Sequence, residues 1–181
     1  MPSLPDRDAT GVHLILGGAR SGKSAVAERL AEESGRTPVY LATAQAFDDE
    51  MRDKIARHRA RRSGHWLERA DPFAAADIVR DCAKGQIVLL DCLTMWLTNF
   101  LLADRDIAAA TEELFAAIDE TAASVVMVSN ETGQGIVPEN ALSRRFREAQ
   151  GILNQRAAAV SDLAILVTAG LPLALKGALP Q

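Results

Sequence analysis

Val12-His13-Leu14-Ile15-Leu16-Gly17-Gly18-Ala19-Arg20-Ser21-Gly22-Lys23-Ser24 runs from an apolar, strand-forming stretch straight into a complete G-x-x-x-x-G-K-[ST] loop. Glycines and small residues leave few Cβ atoms to block the backbone, so its N–H groups can converge on phosphate oxygens. Lys23 then reaches toward the β- and γ-phosphates, and Ser24 offers a hydroxyl to Mg²⁺. The next residues, Ala25-Val26-Ala27-Glu28-Arg29-Leu30, open a helix whose N-terminus favours an anion. A glycine-rich turn with a chance GKS is the competing reading, and the strand–loop–helix context speaks against it.

Outward from this loop, short aliphatic runs alternate with longer stretches of helical period, the pattern of an α/β fold with a mainly parallel sheet. Strands are expected at 12–16, 38–42, 87–91, 124–129 and 163–168, with weaker candidates at 65–68 and 171–175. Helices are expected at 23–34, 48–62, 73–83, 93–102, 107–122 and 139–160. In the last of these Leu142, Phe146, Ala149, Leu153 and Ala157 recur at three- and four-residue steps and form one apolar face. Ligands of such sheets bind beyond the carboxyl ends of the strands, so chemistry is sought just after Leu16, Ala42, Leu90 and Val128.

The 181 residues suit one domain, expected over 11–181 behind a loose polar tail at 1–10. Apolar residues make up 48% and charged residues 24%, as in a soluble globular protein. The net charge of −4 gives no electrostatic case for nucleic acid or an anionic membrane. Neither a signal peptide nor a membrane-spanning segment is legible. Cys82 and Cys92 lack metal-ligand spacing and read as reduced, buried residues of a cytoplasmic protein.

Three further stretches can carry chemistry. Val88-Leu89-Leu90-Asp91 has the form of a Walker-B element, with Asp91 placed to hold Mg²⁺ beside Ser24; capping the next helix is its other possible use. The segment 48–62 begins acidic and ends basic, which complements a helix dipole. At helical spacing Lys54, His58 and Arg62 share a face, where a phosphate could be gripped while neighbouring cations favour the neutral, nucleophilic imidazole. A solvated basic face is the alternative. Finally, Thr132-Gly133-Gln134-Gly135-Ile136-Val137-Pro138-Glu139-Asn140 is a shaped loop after a strand, preceded by Asn130 and Glu131, candidates for orienting a substrate hydroxyl.

Together these pieces resemble the bifunctional adenosylcobinamide kinase/adenosylcobinamide-phosphate guanylyltransferase family of cobalamin biosynthesis. The matching stretches are Gly-Gly-Ala-Arg-Ser-Gly-Lys-Ser at 17–24, Tyr-Leu-Ala-Thr-Ala at 40–44, Asp-Asp-Glu-Met at 48–51 and Ile-Ala-Arg-His-Arg at 55–59. They continue through Leu-Leu-Asp-Cys-Leu-Thr at 89–94, Ser-Asn-Glu at 129–131 and Gly-Ile-Val-Pro-Glu-Asn at 135–140. Leu-Asn-Gln-Arg-Ala-Ala at 153–158 and Ser-Asp-Leu-Ala-Ile-Leu-Val-Thr-Ala-Gly at 161–170 close the series.

The resemblance implies a P-loop NTPase (RecA-like) three-layer α/β sandwich with a mainly parallel central sheet. It implies two reactions at one nucleotide site. ATP or GTP, with Mg²⁺, phosphorylates the hydroxyl of adenosylcobinamide; then a histidine takes GMP from GTP and passes it to the new phosphate, giving adenosylcobinamide-GDP. By resemblance the nucleophile is His58, with Lys23 and the backbone of Gly17, Gly18, Ala19, Arg20, Ser21, Gly22 and Ser24 around the triphosphate. Asp91 would join Ser24 at the metal. Guanine and ribose contacts would come from Ala42, Thr43 and Ala44 and from Arg59, Ala60, Arg61 and Arg62. Relatives with two adjacent histidines differ here, where Arg57 precedes His58, and the family's acidic residue after this helix aligns with Ala70, beside Asp71. A homotrimer is also implied. A simple small-molecule kinase and a GTP-dependent regulatory protein are the competing functions.

Overall fold

The computed structural model describes residues 11–45 and 64–179. In chain order the elements are β1 (Val12–Gly17), α1 (Lys23–Glu33), β2 (Thr37–Ala42), β3 (Leu67–Ala70), α2 (Ala75–Arg80) and β4 (Gln86–Asp91). They continue with α3 (Leu93–Leu102), α4 (Ile107–Glu120), β5 (Ser124–Asn130), α5 (Ala141–Val160), β6 (Leu163–Thr168) and β7 (Leu171–Lys176). The expected helix at 48–62 falls outside the described residues.

Seven strands form one sheet in the order β3-β2-β4-β5-β1-β6-β7. All neighbours are parallel except β6 and β7, which form an antiparallel hairpin at one edge. Parallel strands with crossover helices require apolar residues on both faces, and the strands supply them by alternation. Ile15, Leu89, Val126 and Val128 pack with Val26, Ala27 and Ala31 of α1. Leu14, Leu16, Leu90, Val125 and Met127 pack on the opposite side with α2 to α5, through Val79, Trp96, Leu97, Leu114 and Leu153. The result is the expected three-layer α/β sandwich.

Element ends differ from the sequence reading for local reasons. The helix expected from residue 73 begins at Ala75, because Asp71 Oδ1 accepts hydrogen bonds from Phe73 N and Ala74 N, both 2.7 Å, and holds the preceding turn. The helix expected from 139 begins at Ala141, with Asn140 as N-cap accepting from Ser143 N at 3.1 Å. The weak strand near 65–68 moves to Leu67–Ala70, where it pairs with Val39 to Ala42 of β2.

Candidate active site

The phosphate loop springs from β1 at the middle of the sheet. A Cβ on Gly17 would lie 2.4 Å from Ser21 Oγ and 2.6 Å from the Val167 carbonyl oxygen, so only glycine permits the chain to turn here. Gly22 has φ +98°, in the left-handed region glycine adopts without strain, and its missing Cβ lets Gly170 approach. Arg20 also takes a left-handed φ, 57°. The loop is fastened by Ser21 N to Gly18 O at 3.2 Å and by Gly170 N to Ser21 O at 2.8 Å. Lys23 Nζ donates to Gly18 O at 3.1 Å, closing the lysine over the loop. No side chain caps α1, so its first N–H groups remain available to an anion.

Asp91 ends β4, with β5 between it and β1. Register pairs Asp91 with Val128 and Val128 with Ile15, which puts all three on the sheet face that carries α1 and the loop. Tyr40, on β2, donates its hydroxyl to Asp91 Oδ2 at 3.1 Å. Helix α3 has Cys92, not Asp91, as its N-cap residue. The buried Cys92 thiol is pushed up to about 11, by burial first and then by the Asp91 carboxylate, while Lys23 pulls the other way. One thiol thus feels both the loop lysine and the β4 carboxylate, and it stays protonated, as expected of a structural cysteine.

Thr43 differs from its neighbours. It is fully buried, its Oγ1 donates to Cys92 O at 2.8 Å and accepts from Cys92 N at 3.1 Å, and its carbonyl accepts from Asn99 Nδ2 at 2.7 Å. These bonds tie the end of β2 to the start of α3. The flanking Ala42 and Ala44 are half-buried at the same rim. Asp71, beside Ala70, spends one carboxylate oxygen on the two backbone amides ahead of α2. His58, Arg59, Ala60, Arg61 and Arg62 lie outside the described residues.

The end of β5 carries side chains that the sequence reading did not assemble. Ser129 Oγ donates to Asn154 Oδ1 at 2.6 Å, and Gln150 Nε2 donates to Ser129 Oγ and Asn154 Oδ1, both 2.9 Å. Asn130 N donates to Thr94 Oγ1 at 2.8 Å, while Asn154 Nδ2 donates to Asn130 O at 3.1 Å. Glu131 N donates to Gly17 O at 3.2 Å, joining this strand end to the phosphate loop. Beyond it, loop 131–140 is pinned to α5 by Arg147, which donates to Gly133 O and to Ile136 O, and by Arg144, which donates to Pro138 O at 3.0 Å. The usable signal was two amides, Gln150 and Asn154, interrupting the apolar face of α5.

A family profile described as cobinamide kinase / cobinamide phosphate guanyltransferase matches residues 13–175. The chain belongs to this family. It is similar to the bifunctional adenosylcobalamin biosynthesis protein CobP of Pseudomonas aeruginosa, with 49% identity over 91% of this chain and 96% of that protein. The bifunctional adenosylcobalamin biosynthesis protein CobU of Salmonella typhimurium is 39% identical over 90% of this chain and 98% of its own length. Among solved structures, an ATPase of a bacterial type III secretion system matches with TM-score 0.56 at 10% identity, over 91% of this chain and 56% of that ATPase. A second ATPase domain matches with TM-score 0.50 at 14% identity, over 88% of this chain and 69% of that one. These two likenesses concern the fold alone, a RecA-like P-loop ATPase architecture.

Proposed function

We propose that this chain carries out both reactions of its family at one nucleotide site. In the first, the hydroxyl oxygen of adenosylcobinamide attacks the γ-phosphorus of ATP or GTP, the bond to the β–γ bridging oxygen breaks, and the nucleoside diphosphate leaves. In the second, a His58 nitrogen attacks the α-phosphorus of GTP and pyrophosphate leaves. A phosphate oxygen of the phosphorylated corrinoid then displaces His58 and yields adenosylcobinamide-GDP. The observation that carries the reading is the phosphate loop facing Asp91 across one strand, in a chain of this family.

Each assigned residue has a physical task. Loop amides and Lys23 hold the triphosphate and offset the charge that moves onto the leaving oxygen. Ser24, in the first turn of α1, and Asp91, on the same sheet face, are the hard oxygen donors that suit Mg²⁺. No group of three or more His, Cys, Asp or Glu ligands occurs among the described residues, so phosphate oxygens and water would complete the ion's shell. When bound there, Mg²⁺ supplies charge neutralisation on the phosphates. His58 rests on its sequence position, with Arg59, Ala60, Arg61 and Arg62 following it as nucleotide contacts, and Ala42 and Ala44 at the β2 rim.

A homotrimer fits the surface. Ile152 is 67% exposed and Leu142 47%, and a groove of about 880 Å³ runs between α4 and α5, lined by Ile107, Ala149, Ile152 and Leu153. Apolar surface of this kind is commonly covered by another protein surface. No helix among the described residues is long and apolar enough to cross a membrane, and a cytoplasmic setting suits the proposed substrates.

The test is product formation. With GTP, Mg²⁺ and adenosylcobinamide, mass spectrometry is expected to show first a phosphorylated corrinoid and then its GDP derivative. Protein that binds GTP yet forms neither product overturns the reading.

A further inference from the structure

Asn130, a candidate from sequence for orienting a substrate hydroxyl, stands at a position that fits a different task. Its register partner on β1 is Gly17, the first residue of the phosphate loop. Side chains alternate along a strand, and Val128, two residues earlier, packs on the α1 face, so Asn130 is directed to that face as well. Ser129, between them, points the other way into Gln150 and Asn154. Strands lie about 4.8 Å apart. Asn130 therefore stands at the level of the loop, between the end of β1 and the Asp91 carboxylate on β4.

Its backbone is clamped on both sides, by Thr94 Oγ1 at the N–H and Asn154 Nδ2 at the carbonyl. Its side chain is not: Oδ1 is buried without a hydrogen-bond partner. Burying an amide oxygen unpaired is unfavourable, and such groups call for a specific explanation. A rigidly held carboxamide with uncommitted capacity is what a ligand-contacting group requires. Rotation of the amide exchanges its oxygen and NH₂, so the position can present a donor.

We propose that Asn130 donates a hydrogen bond from Nδ2 to the terminal phosphate of the bound nucleotide and so distinguishes a nucleoside triphosphate from a diphosphate. The inference rests on the phosphate loop being the triphosphate cradle, but it does not depend on the corrinoid. A triphosphate held by the loop at Gly17 to Ser24 and reaching a metal between Ser24 and Asp91 would have its terminal phosphate near the end of β5, because β5 lies between the strands that carry the loop and Asp91. Asn130 is the last β5 side chain on that face, beyond Val126 and Val128. The contact would steady the γ-phosphoryl group for transfer and would loosen once it has left.

The experiment compares binding of Mg²⁺·GTP and Mg²⁺·GDP to the full chain and to its Asn130→Ala and Asn130→Asp variants, without corrinoid. Asn130→Ala is expected to weaken GTP binding about 10-fold while GDP binding stays within about 2-fold, which also shows that the variant is folded. Asn130→Asp, which sets a carboxylate against the phosphate, is expected to weaken GTP further with GDP again little changed. Equal weakening of both nucleotides, or no change in either, overturns the assignment. Failure of the proposed reactions would instead show as missing corrinoid product from wild-type protein.

Discussion

The phosphate loop and the end of β5 are adjacent strand ends, paired through Gly17 and Asn130, yet they are made of opposite materials. The loop is a backbone device: small residues, two left-handed φ values at Arg20 and Gly22, and amides left open toward an anion. The end of β5 is a side-chain device, in which Ser129, Gln150, Asn154 and Thr94 lock one another and the strand in place. Local sequence is enough for the first. The second needs partners from α3 and α5, so its accuracy depends on the whole sandwich being assembled. On the proposed function, a site that serves attack at two different phosphorus atoms would gain from that division: the backbone cradle would bind, and the braced strand end would set the orientation.

The comparison breaks most visibly at Lys23. Lys23→Ala is expected to lower phosphoryl transfer on the order of 10²- to 10³-fold, because a charge aimed at the migrating phosphate is lost from a preorganised cradle. Guanylylation should fall in the same variant, since the same loop holds the triphosphate. Normal GTP turnover would show that the two reactions do not share it. Gln150→Leu probes the other material. It removes both bonds donated by Gln150 Nε2, to Ser129 Oγ and Asn154 Oδ1, and leaves the Ser129–Asn154 bond as the remaining link of that network; the expected loss is about 1–3 kcal/mol of unfolding free energy in a denaturant titration. A variant as stable as wild type would mean that the α5 network is not a brace.

The effect confined to alkaline pH, and absent at neutral pH, is at Cys92, next to Asp91. The folded thiol titrates at about 11 against a reference of 9.0, so between these values the unfolded chain has lost a proton that the folded chain keeps. Stability is therefore full below about pH 9 and declines as pH rises toward 11, by about 1.4 kcal/mol per pH unit from this group. Cys92→Ala should flatten that part of the stability–pH curve. An unchanged slope would contradict a buried, protonated thiol.

Legibility followed the same division. The strands around the loop, Asp91 and the parallel α/β order could be read because each is signalled by consecutive residues. Strand ends erred by one or two residues wherever pairing, not composition, set the limit, as at Gly17, Asn130 and Ala70. Helix α5 looked simply amphipathic, because Leu153 and Ala157 mark the same face as Gln150 and Asn154. Their bonds to Ser129 and Asn130 span 21 to 25 residues, and no spacing rule predicts them. Thr43, a nucleotide contact by resemblance, also carries buried bonds to Cys92 and Asn99, a structural task that no local pattern signals because it depends on β2 pairing with β4.

The central claim is that one triphosphate cradle serves two chemistries, with His58 supplying the second. GTP labelled at the α-phosphate, incubated with the protein and Mg²⁺ and then denatured, tests it most directly. The account predicts label retained on the protein through a bond that is stable in alkali and labile in acid, as a phosphoramidate is, and no retained label in His58→Ala. Label that never becomes covalent while GTP is bound, or that persists undiminished in His58→Ala, would contradict it.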